Sequence, residues 1–171
     1  MKLAAAKDLA WNVRKELAPF CDRIEIAGSI RRERPEVNDV DLVLIPKSPV
    51  DQQALLARCL RTCTQVNARA KQNFIFRMSN VFQLDIWVAH GEIVDLVSKK
   101  PGNWGAVLLC RTGSIAHNVQ LCNLAISKGL KFAPYRGVVK GEDIIASERE
   151  EDIYHALGLT YRDPAEREQL S

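Results

Sequence analysis

Apolar residues recur at two different spacings in the first part of the chain. Five of them lie three or four positions apart, which predicts one amphipathic helix that ends before Pro19: Leu3, Ala6, Ala10, Val13 and Leu17. Trp11 is predicted to pack within the protein. Residues 23–27 then alternate between apolar and polar positions, and residues 40–45 form an apolar run, so both segments are predicted strands.

The next segments repeat the two patterns. A helix is predicted over residues 51–62, with Leu55, Leu56, Cys59 and Leu60 facing inward. Strands are predicted over residues 73–78 and 81–88, joined by a tight hairpin at Ser79 and Asn80. In the second strand an apolar face alternates with a face that carries Asp85.

The pattern changes to helices after residues 101–105, which predicts a boundary there. Helices are expected over residues 106–110 and 114–128, followed by a stop at Gly129 and a hairpin around Gly137. Ser147 and Glu150 have the spacing of a capping box before a last helix that ends at Gly158. The predicted fold class is α+β, with a mixed sheet flanked by helices in residues 1–105 and a small, mainly helical unit in residues 106–171.

The stretch from residue 28 to residue 45 carries the candidate chemistry. Asp39 and Asp41 project from the same face of a predicted strand, so their carboxylates lie close together. Two like charges at a strand end are costly to bury, and a divalent cation removes that cost. An Asp-x-Asp pair by itself can equally be solvated or cap a turn.

A glycine and basic residues come just before this carboxylate pair. Gly28 allows a close backbone approach to a ligand, and the Ser29 hydroxyl can hydrogen-bond a phosphate oxygen. Arg31 and Arg32 follow, and guanidinium groups suit phosphate. A Gly-Ser pair by itself is usually only a turn. The conjunction with Asp39 and Asp41 indicates a site for phosphate and metal.

Asp85 is a lone carboxylate in an otherwise apolar strand. A solvated face would explain it. If its strand lies beside the strand of Asp39 and Asp41, three carboxylates meet, and such oxygen-rich clusters favour Mg²⁺ or Mn²⁺.

At these residues the chain resembles the nucleotidyltransferase superfamily, and in particular the family X DNA polymerases typified by DNA polymerase beta. Thr112-Gly113-Ser114 followed by Asn118 resembles a signature of that family, and residues 147–168 resemble its C-terminal block. The similarity runs from about residue 27 to residue 168. Because a single helix precedes the first motif strand, the chain resembles compact members that lack the amino-terminal lyase domain.

The resemblance implies a catalytic palm and a C-terminal subdomain that closes on the nascent base pair. It implies that Asp39 and Asp41 hold two metal ions and that Asp85 holds the one that activates the primer 3′-hydroxyl. It further implies a set of nucleotide-binding residues: Gly28, Ser29, Arg32, Gly113, Ser114 and Asn118. The implied cofactor is two Mg²⁺ ions per site, with Mn²⁺ as a substitute. The implied partners are a nucleoside triphosphate and primer–template or gapped DNA.

Four positions depart from the family pattern. Asn38 stands where a glycine often precedes the first catalytic Asp. Cys110 and Arg111 stand where two aromatic residues commonly sense the sugar, and Cys122 stands where an arginine usually reads the template minor groove. Fidelity and sugar choice are therefore open, whereas the metal chemistry is unaffected.

Composition and charge fit this interpretation. Residues 1–140 hold 21 Lys and Arg against 12 Asp and Glu, whereas residues 141–171 hold 3 against 9, a pattern that suits a polyanionic partner bound by one region. Segregated solvated faces explain the charge equally well. The odd number of cysteines, five, indicates free thiols in a reducing compartment. With no secretory signal and no apolar run of membrane length, the expected protein is a cytoplasmic monomer without a membrane partner, and a nucleus or a viral particle stays open.

The expected function is that of a template-directed DNA polymerase that fills short gaps in DNA repair. One alternative is a nucleotidyltransferase that acts on RNA, on a protein or on a small molecule, but such relatives generally lack the Thr-Gly-Ser and Asn block. A second alternative is a non-catalytic nucleic-acid-binding module. The three carboxylates disfavour this second alternative, because they would repel a phosphate backbone.

Overall fold

The computed structural model describes residues 1–61, 65–70, 73–78, 82–94 and 99–168. These residues fall into two units, Met1–Val88 and Ala89–Ser171. The functional boundary expected after residue 105 lies further along the chain than this division and stays a prediction. Within the described residues, no helix has the length and apolar character needed to cross a lipid bilayer.

The first unit contains the helices and strands that the sequence pattern predicted, together with a strand and a short helix that were not predicted. In chain order they are α1 (Leu3–Leu17), β1 (Cys21–Ile26), α2 (Gly28–Arg31), β2 (Asp39–Pro46), α3 (Pro49–Leu60), β3 (Gln65–Ala70), β4 (Asn73–Met78) and β5 (Phe82–Val88). The predicted hairpin at Ser79 and Asn80 lies outside the described residues. Strand β3 was not predicted; its sequence, QVNARA, alternates polar with apolar residues, but two of its three apolar residues are alanines, which are depleted in strands.

The five strands form one mixed sheet in the order β1-β2-β5-β4-β3. Only the β2–β5 pair is parallel; the other three pairs are antiparallel. One sheet face is apolar and packs against α1 and α3, and its fully buried members come mainly from β2 and β5: Val40, Leu42, Leu44, Leu84 and Ile86. The opposite face of the same two strands carries the polar residues described below.

Two predicted core residues of the first unit are exposed. Trp11 is 57% exposed, because the buried stripe of α1 runs through its neighbour Ala10, and the Arg14 guanidinium lies 4.8 Å from the centre of its ring. Leu60 is 52% exposed, because Leu55 and Cys59 form the buried stripe of α3 and the next position turns away from it.

The second unit combines helices with a small antiparallel sheet. Its elements are β6 (Ile93–Val94), β7 (Lys99–Lys100), α4 (Trp104–Thr112), α5 (Ile115–Ser127), β8 (Lys131–Ala133), β9 (Gly137–Lys140), β10 (Asp143–Ala146) and α6 (Glu150–Ala156). The three-stranded sheet has the order β10-β9-β8. Its core includes Leu109, Leu121, Phe132, Ile153 and Tyr154. The α+β class expected from the sequence is confirmed.

The predicted capping box at the start of α6 is wrong. The residue that precedes the helix is Arg149, and no side chain caps it. Ser147 Oγ instead donates to the carbonyl of Gly102 at 2.7 Å, and Glu150 accepts a hydrogen bond from Arg167. The stop after α6 is as expected, since Gly158 has a φ of 73°.

Candidate active site

The predicted site residues fall into two sets, one in each unit. Asp39 and Asp41 lie at the start of β2, and Asp85 lies in the middle of β5. The parallel register pairs Asp41 with Asp85 and Asp39 with Gln83. All three carboxylates therefore project from the polar face of two neighbouring strands, as the sequence pattern predicted for the case in which these strands lie side by side.

Two neutral side chains of β5 donate hydrogen bonds to two of the three carboxylates. Gln83 Nε2 donates to Asp85 Oδ1 at 2.8 Å, and Trp87 Nε1 donates to Asp41 Oδ1 at 3.0 Å. Asp85 is only 8% exposed. Sequence reasoning missed both donors. The available signal was their position two residues on either side of Asp85, which puts them on the same strand face.

The three carboxylates do not converge on one point. Among the described residues, no three His, Cys, Asp or Glu side chains lie close enough together to hold a metal ion. The donor set itself, three carboxylates on one sheet face, is of the type that Mg²⁺ and Mn²⁺ prefer.

The turn after β1 packs directly against this set. Gly28 has a φ of 59°, and a Cβ at this position would overlap Asp41 Oδ2. The Ala27 amide donates to the Asp41 carbonyl at 2.9 Å, which fastens the turn to β2. Within the described residues, Ser29 Oγ is buried and has no hydrogen-bond partner. Arg32 is half-buried at the end of α2.

In the second unit, Gly113 and Ser114 form the junction between α4 and α5. Gly113 has a φ of 73°, and the peptide bond that joins it to Ser114 is cis. Ser114 Oγ accepts from the His117 amide at 3.2 Å and donates to the Glu168 carbonyl at 3.0 Å, while the Ser114 amide donates to the Arg167 carbonyl. Both donors of Ser114 are therefore engaged within the unit.

Asn118 lies one turn into α5. Its Nδ2 donates to the Cys110 carbonyl at 2.7 Å, and its Oδ1 is buried without a hydrogen-bond partner among the described residues. Burial raises the pKa of the Cys110 thiol. The Arg111 guanidinium lies 5.6 Å from the centre of the Tyr135 ring.

Comparisons with known proteins agree with the motifs. The family described as DNA polymerase beta thumb matches residues 107–168. The repair DNA polymerase X of an African swine fever virus isolate from a South African tick is 26% identical over 170 residues, covering 93% of this chain and 90% of the viral protein. The same protein of a Namibian warthog isolate is 27% identical with the same coverage. The chain is therefore similar to repair DNA polymerase X over most of its length and to the thumb of DNA polymerase beta over residues 107–168.

Solved structures of a polymerase beta share the fold. Polymerase beta of Leishmania infantum in a ternary P/T complex has a TM-score of 0.73 at 19% identity, covering 98% of this chain and 76% of that one. The same protein in a ternary gap complex has a TM-score of 0.75 at 18% identity, covering 98% and 70%. The likeness therefore extends over both units of the chain.

Proposed function

We propose that this chain is a DNA-directed DNA polymerase that adds nucleotides to a primer 3′-hydroxyl and fills short gaps during DNA repair. It would then be a DNA nucleotidyltransferase, and the viral proteins to which it is similar carry the name of repair DNA polymerase X. The observation that carries the proposal is the parallel register of β2 and β5, with Asp41 opposite Asp85 and Asp39 on the same face.

The proposal assigns the three carboxylates to divalent metal ions, on which family X polymerases depend. Asp39 and Asp41 would hold two Mg²⁺ ions, and Asp85 would hold one of them. Such ions neutralise the transferring phosphoryl group and lower the pKa of the attacking hydroxyl. Because the carboxylates stand on two paired strands, rotation of their side chains without backbone movement would bring them onto the ions.

The turn at Gly28 is proposed to bind the triphosphate. Ser29 Oγ supports this role, because a buried hydroxyl without a partner is costly unless a ligand completes its hydrogen bond. Gly28 allows the backbone to lie against Asp41, so phosphate oxygens held here would be next to the carboxylates. The Arg32 guanidinium would neutralise phosphate charge.

The junction of α4 and α5 is proposed to contact the incoming nucleotide through Gly113, Ser114 and Asn118. Ser114 would act by holding the turn, since its hydroxyl and its amide are both engaged within the unit. Asn118 would contact the nucleotide with its side-chain amide, whose orientation the Cys110 carbonyl fixes. We further propose that the protein acts as a monomer on primer–template or gapped DNA. The ternary P/T and gap complexes of the Leishmania protein support the DNA partner.

The test is primer extension by three variants that keep side-chain shape and remove charge: Asp39→Asn, Asp41→Asn and Asp85→Asn. Each should lower kcat by about a thousandfold or more, because electrostatic stabilisation of the transition state is the largest catalytic contribution. Asp22→Asn, at an exposed position of β1, is the matched control and should act like wild type. Gapped, nicked and single-stranded substrates are compared in parallel. Turnover within tenfold of wild type at saturating Mg²⁺ would remove that residue from the metal site.

A further inference from the structure

Trp87 is an aromatic side chain that hydrogen-bonds directly to a proposed metal ligand. It lies two residues after Asp85 on β5, so the two side chains share a strand face. Its backbone pairs with Val43, two residues after Asp41 on β2. The indole Nε1 donates to Asp41 Oδ1 at 3.0 Å, although the two residues are 46 positions apart in the sequence.

The chemistry of this donor suits a carboxylate that must also bind a cation. An indole N–H only donates and carries no charge. It therefore fixes one oxygen of Asp41 without reducing the negative charge that attracts a metal ion. A guanidinium in the same place would pair with the carboxylate and compete with the cation. An ionised carboxylate has about four lone-pair sites, and one indole bond occupies only one of them.

Asp41 is also held from the opposite side. Its Oδ2 lies where a Cβ of Gly28 would be, so the turn after β1 limits the space on that side of the carboxylate. With Oδ1 bonded to Trp87 and Oδ2 packed against Gly28, the rotation of the Asp41 side chain is restricted at both oxygens. A ligand whose rotation is already restricted loses less conformational entropy when it binds.

We propose that Trp87 is a positioning residue that orients Asp41 for divalent-metal binding through a neutral indole hydrogen bond. This proposal rests on the assignment of Asp41 to the metal site. Trp87 would not itself be a metal ligand, because an indole N–H only donates. Its contribution is the direction and the restricted rotation of the carboxylate, which is how outer partners commonly act on metal ligands.

The test measures metal binding directly, without turnover. Free Mn²⁺ is followed by electron paramagnetic resonance during titration of wild type, Asp41→Asn, Trp87→Phe, Trp87→His and Trp11→Phe at pH 8. Loss of the indole donor in Trp87→Phe should raise the Mn²⁺ dissociation constant about tenfold. Trp87→His restores a neutral ring donor and should recover part of the loss. Trp11→Phe removes an exposed tryptophan elsewhere in the same unit and should match wild type.

A second measurement does not require the Trp87 variants to fold. In the double variant Trp11→Phe/Trp104→Phe, Trp87 is the only remaining tryptophan. Its fluorescence emission should change saturably with Mg²⁺, because a cation at Asp41 alters the field at the indole. The change should disappear when Asp41→Asn is added.

The outcomes separate this proposal from the proposed function. Equal Mn²⁺ affinity of Trp87→Phe and wild type, with weaker binding by Asp41→Asn, overturns the role of Trp87 and leaves the metal site standing. Equal Mn²⁺ affinity of Asp41→Asn and wild type overturns both the role of Trp87 and the assignment of Asp41 to the metal site. If Trp87→Phe does not fold, the Mg²⁺ titration of Trp87 fluorescence tests the proposal instead. A Trp87 emission that does not respond to Mg²⁺ overturns the proposal.

Discussion

At the scale of single residues, Gly28 meets two requirements that few other positions in the chain combine. Its φ of 59° is a conformation that side chains with a Cβ rarely adopt, and the space that a Cβ would fill belongs to Asp41 Oδ2. The Gly-Ser break after a strand indicated a close approach of the backbone to a ligand, but it did not indicate this left-handed conformation. The second needs the three-dimensional position of Asp41, which no local pattern contains.

His117 is a buried histidine whose protonation should destabilise the fold. Its Nε2 lies 2.7 Å from the Tyr154 hydroxyl, and burial together with the nearby Arg167 charge lowers its pKa to about 4. The unfolded chain has a histidine pKa of about 6.5 and so binds more protons than the folded chain between these values. Stability should therefore be unaffected above about pH 6.5 and should fall as the pH drops towards 4. The loss amounts to about 3 kcal/mol at most.

Urea unfolding followed by circular dichroism between pH 8 and pH 4.5 measures this effect. His117→Phe keeps a buried ring and removes the titrating group, so its stability should change less over the same range. His155→Phe, on the same unit at an exposed position, is the matched control and should retain the wild-type slope. A wild-type profile that stays flat from pH 7 to pH 4.5 would contradict a buried neutral His117.

At the scale of elements, a buried ion pair fastens the C-terminal segment to α6, and hydrogen bonds of Ser114 fasten it to the α4–α5 junction. Arg167 is fully buried, and its Nη1 donates to Glu150 Oε1 at 2.7 Å. Its guanidinium also lies 5.5 Å from the Tyr154 ring centre and 5.2 Å from that of Tyr161. The carbonyl of the same residue accepts from the Ser114 amide, so the segment that holds Arg167 also holds the junction.

Arg167→Met should destabilise the second unit by about 3–5 kcal/mol, because it leaves the Glu150 carboxylate buried without its charged partner. The double variant Arg167→Met/Glu150→Gln should recover part of this loss, since the uncompensated charge is gone. Arg136→Met breaks an exposed pair with Glu142 in the same unit and should cost less than about 1 kcal/mol. Urea unfolding of the three variants checks this. An Arg167→Met variant as stable as Arg136→Met would show that the buried pair does not hold the segment.

The same elements show how far sequence reasoning reaches. Alternation and helical spacing predicted α1, β1, β2, α3, β4, β5 and α5, and they put Asp39, Asp41 and Asp85 on polar strand faces. Gln83 lies only two residues before its acceptor, Asp85, and their shared strand face was the one local signal for their hydrogen bond. Local pattern could not show that Trp87 bonds Asp41, because this donor lies 46 residues away from its acceptor. The capping box failed for the same reason. Gly102 and Arg167 are distant in sequence, and they offered Ser147 and Glu150 better partners than the helix end did.

At the scale of the whole molecule, charge is distributed unevenly along the chain. Residues 1–140 hold 21 of the 24 Lys and Arg, whereas 9 of the 21 Asp and Glu lie in residues 141–171. A polyanion such as DNA would be attracted to the first group and repelled by the second. Most of the binding free energy for DNA should then come from counterions released when basic side chains replace them at phosphates.

DNA affinity should therefore fall steeply with salt. A protein that neutralises about four phosphates loses roughly a hundredfold in affinity between 50 and 200 mM NaCl, because log Kd changes by about 0.9 per phosphate for each tenfold change in salt. Fluorescence anisotropy with a one-nucleotide-gapped duplex measures the slope, and thermal melting at each salt concentration checks that the protein stays folded. Replacing the duplex with a single strand of equal length should give a shallower slope, since charge density is lower. A change of less than twofold over this range would mean that basic side chains do not carry the interaction, and the DNA partner would have to be abandoned.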